Sequence, residues 1–212
     1  RRPAAAGEGG RRYRIAFLLA LLVTLMMAAI ITWLFAQGIG IFGNNTSVVW
    51  GFPIANYVWW IGIGNAGTFI SAALLLTRQP WRAAINRFAE VMTIFAVSIA
   101  GLFPILHLGR PYRAYWVIPY PNSMGLWPQW DSALVWDAAS IVAYLVFSVL
   151  FFFLGLIPDL ATLRDRAQTR AGRRVYGALA LGWRGSARHW QLHDTVYRAM
   201  AMIALPLVVS VH

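Results

Sequence analysis

His107 and Asp137 are the two side chains of this sequence whose types and positions could do chemistry together. Each lies inside a long apolar run. Counted from Glu90, near the start of its run, His107 is 17 residues on, about 25 Å of helix. Asp137 stands five residues into the next run, about 8 Å from its start, and 20 residues before Ile157 at its far end. If consecutive runs are antiparallel membrane helices, the two groups share the outer third of the span. A lone histidine in such a helix is often a hydrogen-bonded packing residue. An aspartate there costs about 3 kcal/mol and faces the protein interior or water, so function is its default reading. Imidazole, with a reference pKa near 6.5, can accept a hydrogen bond from a phenolic oxygen, and a carboxylate can bond the imidazole or relay its proton. A quinol, which gives up two electrons and two protons, needs both functions, and apolar helices offer a slot for its isoprenoid tail.

The elements that must position this pair are apolar runs over 15–36, 54–77, 81–108 and 132–157. Each reaches the roughly 20 residues that cross a bilayer. The first follows Arg11, Arg12 and Arg14 and reads as a retained anchor, because its apolar stretch is far longer than the core of a signal peptide. The third carries Arg87 and Glu90, an i,i+3 pair that can neutralise itself. A fifth run starts at Thr195, and its 13 apolar residues from Ala199 to Val211 make roughly 20 Å of helix, short of the ~30 Å core. The expectation is an all-α integral membrane protein with a terminal segment over 1–14, a transmembrane region over 15–212, and a chain that stops inside its fifth helix. The absence of an initiating Met adds to the expectation that both ends are trimmed. Between the fourth and fifth runs, 158–194 reads as an amphipathic surface stretch, with Pro158 as a stop and Arg166, Arg170, Arg173 and Arg174 facing anionic lipid.

Composition favours the same class: 59% of residues are hydrophobic and 12% charged, too apolar for an ordinary soluble core. The net charge of +11 could signal nucleic acid, but the arginines are dispersed rather than clustered. Alternate connections hold 15 arginines against 2, which the positive-inside rule reads as a cytoplasmic N-terminus with loops 37–53 and 109–131 on the periplasmic side. With no Cys, the chain cannot ligate an iron–sulfur cluster through thiolates or attach c-type haem, so any such centre belongs to a partner. His189 and His193 fall in or beside the inner segment and His212 ends the chain, an arrangement that does not pair them with His107 around a haem b. Gly62, Gly64 and Gly67 match a dinucleotide fingerprint literally. They lie in the middle of an apolar run, where small residues serve close helix packing instead. Asn65 beside them is either an interhelical hydrogen-bonding group or a ligand contact. The 109–131 loop holds four prolines and six Tyr or Trp residues, as an aromatic belt or as a lid over an outer site.

Several stretches in order carry a family resemblance: Tyr57 to Ser71, His107-Leu-Gly-Arg-Pro, Ile118-Pro-Tyr-Pro-Asn-Ser-Met-Gly-Leu-Trp-Pro, and Val135-Trp-Asp. They resemble the NrfD-like family of polysulfide reductase membrane subunits, most of all its ActC branch from bacterial alternative complex III. The resemblance implies about ten transmembrane helices in two four-helix bundles, of which this chain would hold an N-terminal helix and most of the first bundle. It also implies a bacterial inner-membrane subunit that oxidises menaquinol or ubiquinol, menaquinol being preferred, near the periplasmic face. Implied partners are a periplasmic iron–sulfur protein, cytochromes carrying c-type haem and a second NrfD-like subunit, with no haem or cluster bound by this chain. On the motif positions, the quinol-site roles fall on His107 and Asp137, with Asn65 and Arg110 as further quinone-binding candidates. Asn65 departs from the family, standing where a His is expected, and Asp131-Ser-Ala replaces a more basic stretch. Three other readings remain: a proton translocator using Glu90 and Asp137 as half-channels, the membrane subunit of a polysulfide- or molybdopterin-type reductase, and a structural anchor.

Overall fold

The structure, a computed structural model, describes residues 6–45, 51–117 and 133–210. The described chain is helical: α1 (Ala6–Gln37), α2 (Phe52–Leu76), α3 (Arg82–Ala100), α4 (Leu102–His107), α5 (Ala133–Arg166), α6 (Arg170–Leu179) and α7 (Ala187–Ser210), with short 3-10 turns at Ile39–Phe42 and Pro111–Val117. Taking α3 and α4 as one interrupted span, five helices are long and apolar enough to cross a membrane. Helix α2 packs on α3, α3 on α5, α5 on α7 and α7 back on α2, which closes a four-helix bundle. Its axis is filled by Tyr57, Ile61, Val97, Ala100, Ile141 and Tyr144 toward one end, and by Ala72, Leu75, Phe151, Tyr197 and Ala201 toward the other. Helix α1 stands apart: its most apolar window buries none of its residues.

Proline chemistry accounts for two departures from the expected boundaries. The run expected as one helix over 81–108 breaks at Gly101. Pro104 has no N–H to give the Ala100 carbonyl, and its ring crowds that group. Pro158, expected as a stop, lies inside α5, which runs on to Arg166. The Leu154 carbonyl that Pro158 leaves without its i+4 donor receives the ring N–H of His193, with Nε2 2.9 Å away, so a neighbouring helix supplies the missing bond. Helix α7 begins at Ala187 rather than Thr195, and its 24 residues make about 36 Å of helix. Ser186 caps it by accepting the His189 N–H at 3.3 Å. Its polar first turns hide it from a search for apolar runs.

The glycines of the false fingerprint all lie within α2. A Cβ on Gly64 would stand 2.8 Å from Val97 Cγ2, and one on Gly67 would stand 2.6 Å from the Ala89 carbonyl oxygen. Close approach of α2 to α3 is therefore what the two glycines permit.

Candidate functional site

His107 is the last residue of α4. The segment after it turns back through Gly109, whose φ of +60° is a left-handed conformation. A Cβ at Gly109 would stand 2.8 Å from both the backbone nitrogen and Cγ2 of Ile39, so glycine lets the 3-10 turn after α1 press against this corner. That turn delivers Phe42, whose ring lies parallel to the His107 imidazole within 6°, with centroids 6.5 Å apart. Arg110 reaches the same corner, its Nε 4.0 Å from the Cβ position of Gly38. Within this packing His107 Nδ1 is shielded from solvent and has no hydrogen-bond partner among the described residues. A buried polar atom of this kind costs about 1–3 kcal/mol. Glu90 Oε2 and Ser148 Oγ share the condition, and His107 Nδ1 is set apart from them by its place at the end of the bundle beside Phe42 and Arg110.

Asp137 lies in the second turn of α5, half-buried. The Tyr57 hydroxyl, one turn into α2, is within electrostatic reach of its carboxylate. The 3-10 turn Pro111–Val117 touches both α4 and α5 and ties the helix of His107 to that of Asp137. No hydrogen bond or ion pair joins His107 and Asp137 among the described residues, so the structure brings them to one end of the bundle without pairing them. Asn65 is buried near the middle of α2, about 20 Å of helix from Phe52. Of the 109–131 loop, read as an aromatic belt or as a lid, the part from Ile118 to Asp131 lies outside the described residues.

A second group of polar side chains fills the bundle axis toward the arginine-rich end. Glu90 is 3% exposed, a burial that a carboxylate requires partners to sustain. It accepts hydrogen bonds from Tyr197 Oη at 2.6 Å and Ser71 Oγ at 2.9 Å, and Arg87 Nη1 stands 3.6 Å from its other oxygen. Asn86 closes the group: its Oδ1 stands 2.6 Å from Ser71 Oγ, whose single proton it shares with Glu90, and its Nδ2 donates to Tyr197 at 3.2 Å. Arg87 also bonds the Gly155 carbonyl and the Asp159 carboxylate, which fastens α3 to α5. Further along the axis, Thr68 bonds both Thr93, at 3.3 Å, and the Tyr144 hydroxyl, at 2.8 Å. A crevice lined by Glu90, Thr68, Thr93, Ser148 and Phe151 joins the two groups and leaves no space for a water molecule. No hydrogen bond among the described residues carries the column on from Tyr144 to Tyr57.

The expected Arg87–Glu90 pair is present, but the sequence reading missed the partners that matter more to Glu90. A signal existed: Asn86, Glu90 and Thr93 recur at i, i+4 and i+7 and so form one polar stripe on an otherwise apolar helix. Thr68 with Ser71, and Tyr144 with Ser148, repeat the spacing. Phe42 carried no signal, since its role depends on a turn that doubles back on a helix end far along the chain. Among the described residues, no three His, Cys, Asp or Glu side chains gather as metal ligands would.

A four-helix bundle with a separate fifth helix, all five of spanning length, defines a multi-pass helical membrane protein. Residues 40–212 match the family described as "Polysulphide reductase, NrfD", and the chain belongs to that family. It is also similar to a Halobacterium salinarum protein whose name describes a dimethyl sulfoxide reductase membrane subunit, at 24% identity over 196 residues. That alignment covers 92% of this chain and 41% of the relative, so the chain spans about two fifths of the relative's length.

Proposed function

We propose that this chain is the quinol-oxidising part of a membrane subunit in an electron-transfer complex of the alternative complex III type. The observation that carries the reading is the buried Nδ1 of His107, without a hydrogen-bond partner among the described residues, at one end of the bundle. A bound quinol supplies two electrons and two protons. His107 Nδ1 accepts the hydrogen bond, and then the proton, of a phenolic oxygen, while Phe42 keeps the imidazole plane fixed. Asp137, half-buried near the same end, takes a proton toward water. Arg110, at the corner held by Gly38 and Gly109, and Asn65, deeper in α2, are further contacts for the head group and its tail. Electrons leave to an iron–sulfur protein and to cytochromes with c-type haem, because this chain has no cysteine to hold a cluster or haem of those kinds. The membrane part is completed by a second NrfD-like subunit. Menaquinol is the preferred substrate, and the His107 end faces the periplasm in a bacterial inner membrane, an orientation that the 15 to 2 arginine split supports.

The test is quinol:acceptor turnover in the assembled complex. His107→Ala and Asp137→Asn are each expected to lower it about 100-fold, the scale of a lost proton acceptor. Near-normal turnover in both variants would refute the assignment.

One observation favours a second reading. The archaeal relative's name places that protein in a reductase, so the same site could serve electron flow in the quinol-consuming or quinone-reducing direction of a molybdopterin-type enzyme. In either direction, Glu90, in the polar column, and Asp137, beyond Tyr144 where the column's hydrogen bonds stop, are the candidate proton route. The crevice beside Glu90 is dry, so protons there would pass through the hydroxyls of Thr68, Thr93 and Tyr144. If coupling uses this route, Glu90→Gln in proteoliposomes abolishes proton movement while electron transfer to the acceptor persists. Unchanged proton movement excludes Glu90.

A further inference from the structure

At the arginine-rich end, a cleft of about 240 Å³ lies between α5, α7 and the segment that joins α6 to α7, next to the Glu90 group through the contact of His193 with Tyr197. Leu154 and Ile157 of α5, Trp183 between α6 and α7, and Leu192 and Val196 of α7 line it, with His189 and His193 as its polar members. Its walls are fixed by hydrogen bonds. His193 donates to the Leu154 carbonyl freed by Pro158, the Trp183 carbonyl accepts from Arg164 Nη1 at 2.8 Å, and the Arg184 N–H donates to His189 Nδ1 at 3.0 Å. With Nδ1 accepting, the ring proton of neutral His189 is on Nε2. That N–H has no protein partner among the described residues. The result is an open apolar cleft with two histidines among its lining residues, the general form of a binding site.

Charge at the mouth narrows the occupant. Each acidic side chain from Asp159 to Asp194 is already paired with an arginine: Asp159 with Arg87, Asp165 with Arg164, and Asp194 with Arg198. Arg170, Arg174, Arg184 and Arg188 are exposed and have no acidic partner among the described residues. Arg184 and Arg188 flank Trp183 and His189 of the cavity wall directly in sequence. Trp183 also packs edge-on against Trp190, centroids 5.0 Å apart, a pairing suited to the headgroup level of a bilayer. We propose that this cavity holds an acyl chain of one anionic phospholipid, whose phosphate is met by His189 Nε2–H and the guanidinium groups of Arg184 and Arg188. The proposal does not depend on the quinol chemistry at the other end of the bundle.

The test uses the intact complex in nanodiscs of phosphatidylcholine doped with a photoactivatable phosphatidylglycerol, with labelled peptides identified by mass spectrometry. Label is expected within residues 183–196 and to weaken as salt rises. The double variant Arg184→Gln/Arg188→Gln should weaken labelling there about 30-fold, the effect of two arginines on an anionic headgroup. Leu192→Trp, which fills the cleft, should abolish it. Equal labelling by a photoactivatable phosphatidylcholine, labelling confined to other segments, or labelling undiminished in the arginine variant each overturns the proposal. If Leu192→Trp prevents assembly, the arginine variant and the phosphatidylcholine control decide it.

Discussion

Glu90 shows how a carboxylate is kept inside an apolar bundle. One arginine at 3.6 Å is an ion pair without a hydrogen bond, and alone it would not replace the water that burial removes. The hydroxyls of Ser71 and Tyr197 replace it on the other carboxylate oxygen, and Asn86 holds both of them in place. Tyr197→Phe leaves Glu90 and Asn86 each short of a partner while preserving the ring packed at a tilt against Phe151. It is expected to lower stability by about 1–3 kcal/mol. Thermal unfolding of the purified complex measures this, and an unchanged midpoint would show that Tyr197 acts through its ring alone. His107 is held differently. Its Nδ1 is shielded and has no hydrogen-bond partner among the described residues, and Glu90 Oε2 shares that state; the two side chains differ in that Glu90 is bonded twice through its other oxygen and faces Arg87 at 3.6 Å.

Helix existence is legible in the sequence because apolar runs of spanning length have few alternatives. Boundaries are less so, for reasons that differ by helix. Pro104 breaks its span as an isolated proline should, whereas Pro158 does not, because His193 of α7 repairs the lost bond. No reading of α5 alone could find that donor. Helix α7 is longer than its apolar run because its first turns are amphipathic, and periodicity rather than mean hydropathy marks such a start. Gly64 and Gly67 serve close packing, as their place in an apolar run implies, and the structure identifies α3 as what approaches. Gly67 meets the Ala89 carbonyl, which cannot rotate away, so Gly67→Val should separate α2 from α3 and cost about 1–3 kcal/mol. A complex of Gly67→Val that unfolds at the native temperature would contradict this packing account.

At the scale of the whole molecule, charge distribution and bundle geometry make one joint prediction. Helices α2, α3, α5 and α7 alternate in direction, so the exposed residues Asn45 and Gln168 belong on opposite sides of the membrane. The chain has no Cys, which makes single cysteines clean reporters. In sealed cells, a membrane-impermeant thiol reagent should label Asn45→Cys and leave Gln168→Cys unmodified until the membrane is opened. The reverse pattern would invert the proposed orientation. The polar column also bears on how the chain is made. Its partners are contributed in order by α2, α3, α5 and α7, and Tyr197, which supplies the shortest hydrogen bond to Glu90, leaves the ribosome after the other three helices. Until then Glu90 has Ser71 and Arg87 but lacks its shortest bond. The early helices therefore have an electrostatic reason to linger beside the insertion machinery, and release into lipid becomes favourable when α7 arrives to close the ring.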